Sequence, residues 1–134
     1  MTEKTAYTPA THTAPPARFS HGVRKGGILQ VAGQVGFPPA RDGAAPRPAG
    51  PTLRAQMEQT LANVEAVLKE AGSGWEDAVM IRVYLTDTAH FAEMNEIYDA
   101  YFAELAVPPA ARTTVYVGLP EGLLVEIDAM AVLD

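Results

Sequence analysis

The chain has 134 residues, 48% apolar and 19% charged, with a formal charge of -6 and a pI near 5.0. This composition fits one globular domain with its own core and excludes a disordered chain. The acidic balance makes nucleic acid and anionic membranes poor partners, and the absence of Cys excludes disulfides, thiol nucleophiles and Cys-based zinc sites.

The first 17 residues, "MTEKTAYTPATHTAPPA", are rich in Thr, Ala and Pro and read as an extended arm preceding a domain over 18–134. They lack the apolar stretch of a signal peptide, and no run approaches the roughly 20 apolar residues of a spanning helix. A cytoplasmic setting is the expectation. "GGILQVAGQVG" (26–36) alternates Leu29, Val31, Gly33 and Val35 against Ile28, Gln30, Ala32 and Gln34. That pattern predicts a strand with one apolar face. Gly33 inside it points to a bulge or a close approach to the backbone.

Five prolines in "FPPARDGAAPRPAGPT" (37–52) predict a loop. Thr52 is suited to cap a helix whose stripe is Leu53, Met57, Leu61, Val64 and Leu68, with Gly72 and Gly74 at its end. "EDAVMIRVYLTD" (76–87) sets Val79, Ile81, Val83 and Leu85 against Met80, Arg82, Tyr84 and Thr86 and predicts a second strand. Asp87 or Thr88 can cap a second helix with an apolar stripe from Phe91 through Met94, Ile97, Tyr98, Tyr101 and Phe102 to Leu105. Pro108 and Pro109 end it. Strands at about 112–117 and 124–133 complete an α+β arrangement with both helices on one sheet face.

The opposite face would hold Arg82, Tyr84, Glu126, Asp128, Met130 and Val132. It is too apolar to be fully solvated and too charged for an ordinary core. Copies of the chain meeting there would reconcile the two.

"VAGQVG", "LANVEAVLKEAGSGWEDAVMIRVYLTDTAHFAEMNEIYDAYF", "PPAARTTV" and "LVEIDAMAV" together resemble the RidA (YjgF-type) family of reactive-intermediate deaminases, over residues 19–132. The resemblance implies a chorismate-mutase-like α+β fold and a homotrimer with a central β-barrel and clefts between subunits. It implies hydrolysis of enamines and imines such as 2-aminoacrylate to 2-keto acids and ammonia, without metal or organic cofactor. On the matched positions, Arg112 would hold the substrate carboxylate and Glu126 would place or activate water. Gly33 and Thr114 would offer backbone contacts, Phe19 an aromatic wall, and Asn95 and Tyr98 a second-helix border to the cleft. Phe19 stands where Tyr is usual and Ala32 where Ser is frequent, and "VYVGLPEG" is one residue short.

These residue types suit that chemistry. A guanidinium grips a carboxylate bidentately and so orients the adjacent C=N bond, and a carboxylate can take a proton from water. Plainer roles stand beside these. Arg112 could form a surface or intersubunit salt bridge. Glu126 could pair with Arg82 or Arg112 at a subunit seam, and Asp128 reads as structural. Close approach of Glu126 and Asp128 would raise the pKa of one of them. His12, His21 and His90 lack metal-ligand spacing, although His21 is near Phe19. A non-catalytic small-molecule-binding or regulatory trimer is the main functional alternative. A ribonuclease is a third, disfavoured by the acidic charge.

Overall fold

Two amphipathic helices lie side by side on one face of a mixed six-stranded sheet in the computed structural model, which describes residues 2–39 and 45–134. The strands are β1 (Lys4–Tyr7), β2 (Gly22–Lys25), β3 (Ile28–Val35), β4 (Ala78–Leu85), β5 (Ala111–Tyr116) and β6 (Val125–Val132). The helices are α1 (Leu53–Glu70) and α2 (Phe91–Tyr101). Strand order is β1-β2-β3-β6-β4-β5, with only β4 and β5 parallel. The parallel pair follows from α2, which returns the chain to the starting end of the sheet between the two strands.

The helix-facing side is apolar because strand parity puts every second residue there. Leu29 and Val31 of β3, Ile81, Val83 and Leu85 of β4, and Val125, Ile127, Ala129 and Ala131 of β6 are all buried. Met57, Leu61, Val64 and Leu68 of α1 and Met94 and Ile97 of α2 cover them. Thr52 caps α1, its hydroxyl accepting from the Ala55 N–H at 3.2 Å. At the other end Gly72, at φ +79°, turns the chain so that Ser73 N–H reaches Leu68 C=O and Gly72 N–H reaches Lys69 C=O.

The structure departs from the sequence expectations at several places. Val79 is 44% exposed, because the β4–β6 register shifts between Ala78 and Met80 and gives the inward position to Ala78. Phe91, the start of the expected apolar stripe, is the first residue of α2 and is 40% exposed. Lys4–Tyr7, within the expected arm, is an edge strand paired to β2, and β2 itself was not expected. Residues 40–44 of the expected loop lie outside the described residues. Among the described residues no helix is long and apolar enough to cross a membrane.

One polar clamp joins α1, the turn before β4 and α2. Trp75 Nε1–H and the Tyr101 hydroxyl both donate to Glu65 Oε1, at 2.9 and 2.8 Å, and Lys69 Nζ lies 3.3 Å from Oε2. Burial pushes the Glu65 carboxyl up, but the bonds from Tyr101, Lys69 and Trp75 outweigh it and hold the pKa below its ordinary value. A depressed carboxylate pKa stabilises the fold above the unfolded-state pKa, and that stabilisation is lost as pH falls through the folded-state value. Glu65→Ala should lower unfolding free energy by about 1–3 kcal/mol at neutral pH, since two partly buried donors lose their acceptor. In denaturant titrations across pH, the deficit should narrow toward acid.

Candidate functional site

Arg112 sits on the edge strand β5, in register with Ile81, and therefore projects to the helix side of the sheet. Its Cζ lies 4.8 Å from the centroid of the Tyr98 ring and its Nη1 donates to Met94 Sδ at 3.8 Å. A guanidinium over an aromatic face is held by the ring quadrupole without being neutralised. Among the described residues no carboxylate pairs with it. Tyr98 is buried, and burial foremost raises its hydroxyl pKa, with Arg112 pulling the other way. Thr114 shares the Arg112 face of β5, and its Oγ1 is buried without a partner among the described residues. Asn95, half-buried, follows Met94 on α2.

Glu126 sits on the other side. It pairs across β6–β4 with Tyr84, on the open face with Arg82 and Asp128. Asp128 takes the cation: Arg82 Nε and Nη2 donate to its two oxygens at 2.8 and 2.9 Å, and the Tyr84 hydroxyl adds a bond of 2.9 Å. Glu126 is left with no cation among the described residues. Burial foremost, and Asp128 second, raise its pKa. Gly33 makes room for it. The β3–β6 register shifts between Val31 and Gln34, and a Cβ on Gly33 would lie 2.6 Å from Glu126 Oε2.

A third group of residues was not legible as a cluster. The arm folds back so that the His12 and His21 rings meet edge to face, centroids 4.7 Å apart. Gln34, only 5% exposed, joins them. His12 Nε2–H donates to Gln34 Oε1 at 2.9 Å, and Gln34 Nε2 donates to His21 Nδ1 at 3.3 Å and to Ala32 C=O at 3.1 Å. His21 Nε2–H donates to Thr13 C=O at 2.8 Å, and the Thr11 hydroxyl donates to His12 Nδ1 at 3.0 Å. This pattern assigns both rings the Nε2–H tautomer. Burial foremost lowers the His12 pKa, with the Gln34 bond opposing and His21 assisting. Beside the pair lies a cavity of about 270 Å³ whose wall includes Phe19, Gly33 and Asn63. Phe19 itself is 53% exposed, its ring 6.5 Å from that of His21. Asn63 of α1 braces the cavity by donating to the Val35 and Phe37 carbonyls, both at 2.8 Å. Among the described residues no group of three His, Asp or Glu could hold a metal ion.

A single chain thus gathers Arg112 with Tyr98, Met94 and Thr114, with Asn95 next to Met94 in the sequence of α2, and separately gathers Glu126 with Gly33 near Phe19. It does not bring the two groups together. They occupy opposite faces of the sheet, on strands separated by β4. Strand spacing and rise place their backbones about 10 Å apart across the sheet and about 10 Å along it.

Comparison with known proteins points to one family, whose members carry several functional names. A family model described as Endoribonuclease L-PSP matches residues 10–133. A RutC family protein of Synechocystis sp. is 40% identical over 134 residues, covering 99% of this chain and 98% of the relative. The 2-iminobutanoate/2-iminopropanoate deaminase of Escherichia coli K12 is 35% identical over 128 residues, covering 93% and 96%. Among solved structures, the YjgF gene product of E. coli superposes with a TM-score of 0.82 at 31% identity, covering 96% of this chain and 98% of that one. E. coli TdcF with bound serine gives 0.83 at 27%, covering 97% and 99%.

The raised Glu126 pKa has a stability consequence. A half-buried carboxylate that has no cation among the described residues penalises the folded state once ionised, so this penalty is present above the raised pKa and vanishes below the unfolded one. Glu126→Gln should therefore be at least as stable as wild type near neutral pH, and any advantage should disappear as the pH falls. Thermal melts of both proteins across pH measure this.

Proposed function

Because the chain belongs to the Endoribonuclease L-PSP family, the RidA (YjgF-type) proteins, we propose that it hydrolyses enamine and imine intermediates such as 2-aminoacrylate and 2-imino acids, releasing 2-keto acid and ammonia. The observation that carries this reading is the pair of uncompensated charges: a guanidinium resting on an aromatic ring and a desolvated carboxylate beside a glycine. A carboxylate perturbed as Glu126 is, in a niche beside a glycine, is typical of reactive sites. The 35% identical relative named as an iminobutanoate and iminopropanoate deaminase supports the choice of substrate class.

In this mechanism Arg112 binds the substrate carboxylate bidentately and fixes the neighbouring C=N carbon. Glu126 accepts a proton from water as the oxygen attacks that carbon. The raised pKa keeps the carboxylate basic enough to take the proton. The tetrahedral carbinolamine then collapses: the amine takes a proton, the C–N bond breaks, and ammonia leaves. Phe19, Gly33, Thr114, Asn95 and Tyr98 border the substrate. Because Arg112 and Glu126 lie on opposite sheet faces, we assign each complete site to two copies of the chain. The proposed assembly is a homotrimer with its sheets forming a central barrel. Exposed apolar residues on the open face, Ile28 at 55% and Val132 at 50%, support such packing. The alternative, a trimer that binds small molecules without turnover, draws support from serine bound in the related TdcF structure. The net charge of -6 disfavours an RNA substrate.

Imines generated in place by an amino-acid oxidase, followed by loss of their absorbance, test this. Wild type should accelerate decay above background and Arg112→Ala should lose at least tenfold, as expected for removing a charge-assisted carboxylate contact. Wild type at the background rate would leave the binding reading standing. The wild-type rate should also fall as pH drops through the raised Glu126 pKa, and this acid limb should be absent from whatever activity remains in Glu126→Gln.

A further inference from the structure

We propose that Met94 and Tyr98 are positioning residues for Arg112: they hold its guanidinium charged and in place while leaving one edge of it open to the substrate carboxylate. The inference rests on the deaminase reading and adds to it two residues that act through the anchor.

Met94 and Tyr98 stand one turn apart on α2 and so present one face to β5. Both are buried, which leaves them little surface to offer a substrate directly. The guanidinium Cζ lies 4.8 Å from the Tyr98 ring centroid, and Nη1 donates to Met94 Sδ at 3.8 Å. Neither partner is charged, so the cation is steadied without being neutralised. Nη1 is the one guanidinium nitrogen engaged among the described residues, so Nε and Nη2 are open. That is the edge with which Arg82 grips Asp128, at 2.8 and 2.9 Å. Arg82 spends it on an internal carboxylate, whereas Arg112 can take one from outside the chain.

The Tyr98 ring is itself fixed. It packs against Phe102, centroids 4.7 Å apart, and Phe102 meets Trp75 and Tyr101 edge to face, each at 4.9 Å. Trp75 and Tyr101 are the donors to Glu65. A run of aromatic contacts thus ties the guanidinium to the clamp between α1 and α2. An arginine held this way has less side-chain freedom to lose on binding than one extended into solvent.

A cation–π contact is worth roughly two- to thirtyfold in an equilibrium. The test is a double-mutant cycle on the full chain. It reads NMR-titrated binding of 2-oxobutanoate, which needs no turnover, and kcat/KM for oxidase-generated imines, with denaturant melts to confirm folded protein. Tyr98→Leu should weaken both by about threefold or more, and Tyr98→Phe, which keeps the ring face, should restore most of the loss. In an Arg112→Ala background Tyr98→Leu should add nothing, because its effect passes through the guanidinium. Met94→Leu nearly conserves volume and removes the sulfur acceptor. It should cost about twofold, again only where Arg112 is present, and it decides the matter if Tyr98→Leu does not fold. Equal losses with and without Arg112 would overturn the proposal, as would a Tyr98→Phe protein as poor as Tyr98→Leu. Coupled losses in 2-oxobutanoate binding, with no imine turnover by wild type, would support the positioning role and reject the deaminase reading. Imine turnover that both Tyr98→Leu and Met94→Leu leave intact would do the reverse.

Discussion

A sheet cannot turn one residue toward both of its faces, and that constraint separates Arg112 from Glu126. Arg112 follows the parity of Ile81 and points to the helices, whereas Glu126 follows the parity of Tyr84 and points away. No rotamer change brings side chains on opposite faces of a covered sheet onto one small substrate. Both groups are under-compensated within the protomer. The guanidinium has a ring face and a thioether, an arrangement worth roughly 0.5–2 kcal/mol. The carboxylate has a desolvated niche and a like-charged neighbour. Local dissatisfaction of this sort is expected where function overrides stability. It sets these two residues apart from Arg82, Tyr84 and Asp128, which satisfy one another in a closed network.

The remaining architecture holds these two groups in position. α1 contributes more than an apolar stripe. Its fully buried Gln56 donates to the Gly50 and Gly122 carbonyls at 2.9 Å each and accepts from Leu124 N–H at 2.8 Å, fixing the approach to β6. Asn63, two turns later, holds the end of β3. The bulge at Gly33 and the niche of Glu126 therefore rest on strand ends anchored by one helix. On the other side, the packing of α2 against the sheet decides where Met94 and Tyr98 meet Arg112.

Much of this was readable from residue order. The stripes of α1, β3 and β6 have one buried face each, and burial imprints periodicity directly. Parity alone placed Arg82, Tyr84, Glu126 and Asp128 on one face, as observed. The misses share a cause: they depend on pairing between distant segments. Val79 obeys the alternation, but a bulge set by β6 turns it outward. β1 is an edge strand with three of its four residues exposed, so it carries no periodic signal. The facing of Arg112 depends on a parallel register with β4 that spacing does not reveal. His12 and His21 are nine residues apart along a Pro-rich arm, and only the buried amide of Gln34 explains why they meet. Gln34 looked like an ordinary polar position on the outer face. The bulge at Gly33 turned it inward.

The most direct measurement mixes two crippled variants, Arg112→Ala and Glu126→Gln, under conditions of verified subunit exchange. If each site draws its guanidinium from one chain and its carboxylate from another, mixed assemblies contain some intact sites. An equal mixture should then recover roughly a quarter of the wild-type imine hydrolysis rate, because half of the chains supply each group. A mixture that stays at the level of the separate variants, despite exchange, would contradict the two-chain site.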